Sequence, residues 1–135
     1  MLELIYILEA LRLYSKDCHY NFTGVDFKPL HEWADEIADP LGGWIDEIKE
    51  QYILYRLQDV PSSVEIMKNA FNYVPESVPK DNKELLRNLR AIINMAIKQI
   101  EKAAPNTTQG TGDLLGRIGS HLQKHSGLLH LALGD

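Results

Sequence analysis

With 135 residues, 44% of them hydrophobic and 24% charged, the chain has room for one domain with a sizeable core. A net charge of −5 excludes a broadly basic nucleic-acid surface. The single cysteine, Cys18, excludes an internal disulfide and a thiolate zinc site, and fits a reducing, cytoplasmic compartment.

The opening stretch, MLELIYILEALRLY, is apolar, but Glu3, Glu9 and Arg12 interrupt it and neither a basic leader nor a small-residue cleavage site flanks it. Leu4, Ile7, Leu8, Leu11 and Tyr14 follow the helical period, which predicts a buried first helix over 2–22 with His19 near its end. Cys18 reads as a small buried filler beside it. Residues 21–27 form a turn around Gly24, and Asp26 is placed to cap a second helix that tolerates Pro29 in its first turn.

That second helix is predicted over about 28–57 and contains a conflict. Pro40 removes a backbone donor at a cost of about 3 kcal/mol, and Gly42 and Gly43 cost about 1 kcal/mol each. Trp33, Ile37, Leu41, Trp44 and Ile48 continue one apolar stripe through the region, so a kink is expected rather than an end. Beyond Arg56, the pattern Ser62/Ser63 with Glu65 is a capping box that opens a short helix over about 62–73, closed by Pro75 and Pro79. A long helix follows over about 81–104, opened by Asp81 or Asn82. Its stripe is Leu85, Leu86, Leu89, Ile92, Ile93, Ala96 and Ile100. Residues 106–112 read as a polar loop, and a last helix runs from about Gly112 or Asp113 to Leu133-Gly134. Four long helices with short links make an all-α four-helix bundle.

The stretch from His19 to Glu50 carries the chemistry. His31 and Asp35 are an i, i+4 pair, as are Asp46 and Glu50, so each pair shares a helix face. Imidazole and carboxylate together suit iron, zinc or manganese. On one helix, Asp35 and Asp46 would lie roughly 16 Å apart along the axis, too far for one ion. Two copies packed antiparallel about a two-fold axis would bring each pair opposite its counterpart, giving two shared sites per dimer.

At these residues the sequence resembles the Dps family, the ferritin-like mini-ferritins. The resemblance rests on His19, Tyr20, Gly24, Phe27, Leu30-His31, Asp35, and then Asp46 and Glu50. It implies a ferritin-like bundle with a short extra helix between the second and third long helices. It also implies a ferroxidase centre between two-fold-related subunits, with His19, His31 and Asp35 from one chain and Asp46 and Glu50 from the other. Fe(II) would be oxidised there, with hydrogen peroxide preferred over dioxygen, and Fe(III) stored inside a hollow homo-oligomeric shell of twelve chains. Pro40 departs from the family's pattern, and the chain has none of the E-x-x-H pairs of ordinary ferritins. A weaker likeness at Thr111-x-Asp113 and Lys124-His125 implies that Asp113 lines an iron-admitting pore.

Family members that coat DNA use lysine-rich tails, and this acidic chain has no such cluster, so DNA binding is not expected. His121 and His125, another i, i+4 pair, read as one exposed and one hydrogen-bonded side chain at an interface, and His130 as a helix-end residue. The alternative to the ferroxidase is a ferritin-like helical assembly or interaction protein that only binds metal.

Overall fold

The structure is a computed structural model that describes residues 1–55 and 58–135. Its helices are α1 (Leu2–Asn21), α2 (Phe27–Ala38), α3 (Leu41–Tyr55), α4 (Ser63–Ala70), α5 (Asn82–Ala103) and α6 (Gln109–Leu133). Helix α1, the α2–α3 pair, α5 and α6 form a four-helix bundle, with α4 as the short extra helix between its second and third members.

Helix α1 is buried nearly all round. Ile5, Tyr6 and Ala10 join the predicted Leu4, Ile7, Leu8, Leu11 and Tyr14 in the core, as expected of a helix enclosed by neighbours. The predicted stripe of α5 is buried at all seven positions, and truncating one of its leucines to alanine would cost about 2–5 kcal/mol. Ser62 and Asp81 cap α4 and α5 as the sequence implied, accepting from the backbone N–H groups of Glu65 and Glu84.

Three local expectations are corrected. Helix α2 begins after Asp26, but the Asp26 side chain makes no capping bond. The last helix begins at Gln109, not Gly112 or Asp113, because Thr108 caps it by accepting from the Thr111 N–H at 3.3 Å. Thr111 in turn donates to Gln51 Oε1 at 2.9 Å, which fixes this first turn against α3. Neither His121 nor His125 is exposed; each makes a hydrogen bond between helices.

The expected kink is instead a break: Pro40 divides the predicted second long helix into α2 and α3. Asp39 keeps right-handed helical angles and donates to the Asp35 carbonyl, and the Trp44 N–H already bonds to the Pro40 carbonyl. The interruption spans Asp39 and Pro40, where proline cannot donate. His121 on α6 donates from Nε2 to the Ile37 carbonyl at 3.1 Å, satisfying an acceptor beside the break. The expected helix end at about 57 falls on residues 56–57, outside the described residues.

Candidate metal centre

The turn between α1 and α2 brings His19 and His31 face to face. Gly24 adopts φ +82°, a left-handed conformation that glycine takes without a Cβ penalty, and the Phe27 N–H closes the turn on the Gly24 carbonyl. Asn82, at the start of α5, pins the turn by accepting from the Thr23 N–H at 3.0 Å and donating to the Thr23 carbonyl at 2.8 Å.

Within this frame the two imidazoles stack, with ring centroids 3.4 Å apart and planes 19° from parallel. His19 Nδ1–H donates to the His31 carbonyl at 2.8 Å, and His31 Nδ1–H donates to the His19 carbonyl at 2.6 Å. Each bond to a carbonyl requires a proton on Nδ1, so in the neutral ring Nε2 is the atom available to ligate a metal. Phe27 packs on His31 from the other side, at a centroid distance of 4.8 Å.

Asp35 completes the cluster on α2. Its Oδ1 lies 3.3 Å from His19 Nδ1 and accepts from Lys16 Nζ at 2.7 Å. The hydrogen bond from Lys16, helped by the two histidines, holds the Asp35 carboxyl below the usual carboxylate range. Lys16 carries almost no local signal in the sequence. Its only signal was its position three residues before His19, and its partner lies on another helix.

Asp46 and Glu50 stand together on α3. The Asp46 carboxylate accepts a hydrogen bond from the protonated Glu50 carboxyl and repels its charged form, and both raise the Glu50 pKa. Among the described residues no three His, Cys, Asp or Glu side chains converge closely enough within one chain to hold an ion. His19, His31 and Asp35 lie between α1 and α2, Asp46 and Glu50 lie on α3, and neither set holds an ion by itself.

A second histidine group lies at the α2–α3 and α6 contact. Trp33 donates from Nε1 to His125 Nδ1 at 3.0 Å, and Trp44 packs edge-on against His121 at 5.1 Å. With His121 Nε2 committed to the Ile37 carbonyl and His125 Nδ1 to Trp33, these histidines serve packing, and Trp33 and Trp44 pack partly buried against the core. Asp113, at the start of α6, is exposed.

No family model matches the sequence, and no curated protein matches it. Solved structures do. The chain is similar to Dps from Thermosynechococcus elongatus, with a TM-score of 0.86 and 24% identity over 99% of this chain and 90% of that one. It is also similar to Listeria innocua Dps soaked with cobalt, with a TM-score of 0.80 and 22% identity over 99% and 92% of the two chains. A third similar structure is the Vibrio cholerae DPS protein, described as a member of a broad superfamily of ferritin-like diiron-carboxylate proteins. There the TM-score is 0.77 and the identity 19%, over 98% and 85% of the chains.

The chain has the Dps fold.

On that fold α4 is the extra helix between the second and third long helices of the ferritin-like bundle. No helix among the described residues is long and apolar enough to cross a membrane.

Proposed function

We propose that this protein is a mini-ferritin that oxidises Fe(II) and stores Fe(III). The observation that carries the reading is the reciprocal His19–His31 pairing through Nδ1, which leaves both Nε2 atoms out of these bonds, with Asp35 against His19 Nδ1, on a Dps fold. Two imidazoles and a carboxylate fit ferrous iron, and zinc or manganese as substitutes. Asp46 and Glu50 would come from a second, two-fold-related chain, since no three ligand-type side chains among the described residues converge within one chain.

In this reading His19, His31 and Asp35 bind and orient the substrate ferrous ions, and the partner's carboxylates hold the ferric product. The carbonyl bonds keep each imidazole in its ligating tautomer throughout. Two ferrous ions supply the two electrons that reduce hydrogen peroxide to water, so no hydroxyl radical leaves the site. Ferric ions then pass to an acidic interior, with Asp113 at an entry pore. Exposed apolar side chains, Val64 on α4 and Phe71 just after it, with Ile53 and Leu54 on α3, supply surface for contacts between chains. Twelve 15.4 kDa chains would give a shell of about 185 kDa. A cytoplasmic location belongs to the same proposal. DNA binding does not, because the net charge is −5 and cations such as Arg12, Lys16, Arg87 and Arg90 are paired with carboxylates.

The test is Fe(II) oxidation with hydrogen peroxide by wild type and by Asp46→Ala/Glu50→Ala, with light scattering on both. The proposal expects a rate loss of at least tenfold in the variant, with assembly retained. Equal rates would leave only a non-catalytic helical assembly that binds metal.

A further inference from the structure

Lys16 stands one helical turn before His19, so α1 presents both residues to α2. Its Nζ holds Asp35 Oδ1 at 2.7 Å, the same oxygen that lies 3.3 Å from His19 Nδ1. Four side chains thus form one cluster between the two helices. Three of them are of metal-ligand type, and the fourth is an ammonium, which has three donors and no lone pair to offer a metal. A charge-assisted hydrogen bond to a carboxylate is among the stronger polar contacts, and a divalent ion approaching Asp35 must both displace it and overcome its repulsion.

Charge shows what this does. With neutral imidazoles, Asp35 and Lys16 cancel within this four-residue cluster, and the Lys16 ammonium, which also faces the charge of Asp39, repels a divalent cation approaching Asp35. Adding ionised Asp46 and Glu50 from another chain brings two net negative charges, which match one divalent ion. Resting on the reading of this cluster as half of a ferrous-ion site, we propose that Lys16 is a specificity-determining residue. It keeps the α1–α2 half closed to a divalent ion until the carboxylates of a second copy arrive. Metal capture is thereby tied to assembly, and an unassembled chain leaves free metal alone.

Calorimetric titration of the full protein with zinc(II) alone tests this in wild type, Lys16→Met, Asp46→Asn/Glu50→Gln and the triple variant. The Lys16 side chain is 47% exposed and methionine is a good helix former, so the fold tolerates the change. Circular dichroism and light scattering verify fold and mass in each variant. Lys16→Met is expected to bind zinc about tenfold more tightly than wild type. The double variant is expected to bind at least tenfold more weakly, and the triple variant to recover most of that loss. Lys16→Arg, which keeps the charge, is expected to bind no more tightly than wild type.

If Lys16→Met matches wild type while Asp35→Asn loses zinc, the role of Lys16 is overturned and the site stands. A tighter-binding Lys16→Arg overturns it as well, since charge would then not be the cause. If wild type takes up no zinc and Asp35→Asn changes nothing, the site reading and the proposal fall together.

Discussion

Trp33 donates its indole N–H to His125 Nδ1 at 3.0 Å, joining α2 to α6 across the bundle. Nδ1 can accept only while it is unprotonated. His125 is 1% exposed, and burial, reinforced by the neighbouring His121, pushes its pKa down to about 4.

Acid should therefore loosen this contact. A histidine in the unfolded chain titrates near 6.5, so between about pH 6.5 and 4 the unfolded state binds a proton that the folded state refuses. The contribution is intact above pH 6.5 and is lost as pH falls toward 4, at up to about 1.4 kcal/mol per unit. Urea unfolding of wild type and His125→Gln at pH 7 and pH 5 checks this. The variant is expected to lose less stability over that interval, and equal losses would remove His125 as the cause.

The neighbouring histidine is expected to matter at every pH through a different bond. His121 Nε2–H is the donor to the Ile37 carbonyl beside the Pro40 break. His121→Ala leaves that acceptor unpaired in a partly buried place, at a cost of about 1–3 kcal/mol. Urea unfolding at pH 8 reads the loss, and a variant as stable as wild type would show that water replaces the imidazole at no cost.

How much of this was legible in the sequence follows from the range of each interaction. The α5 stripe and the Ser62 and Asp81 caps depend on residues a few positions apart, and spacing found them. The start of α6 was placed three residues or more too late. Gly110 and Gly112 argue locally against a helix there, while the Thr111–Gln51 bond across 60 residues argues for one. At the candidate site the His31/Asp35 and Asp46/Glu50 pairs are local and were visible. The reciprocal His19–His31 carbonyl bonds and the Lys16–Asp35 pair join α1 to α2, and only the folded backbone brings them together.

Cys18 makes a prediction about reactivity. It is fully buried in the core, its Sγ faces the Leu85 carbonyl at 3.8 Å, and desolvation pushes its thiol pKa up. A thiol held protonated and out of reach of water is a poor nucleophile. An aromatic disulfide reagent is expected to label no cysteine in the native protein and one per chain in guanidinium. Labelling of the native protein at the unfolded rate would place Cys18 at the surface and contradict this packing.

Gly24 separates backbone strain from ligand chemistry, because it lies between His19 and His31 and touches neither. Its φ of +82° is the conformation that an L side chain adopts at a cost of about 1–2 kcal/mol, and nothing lies within 4 Å of where a Cβ would stand. Gly24→Ala is therefore expected to lower unfolding stability by about 1 kcal/mol through the backbone alone. Gly24→Asn should lose less, since asparagine tolerates left-handed angles. The Thr23–Asn82 bonds hold the turn from outside, so zinc affinity should stay within about twofold of wild type in both variants. A Gly24→Ala protein of wild-type stability but weakened zinc binding would mean that the turn gives way rather than bearing the strain, and that the glycine is needed for the His19–His31 geometry itself.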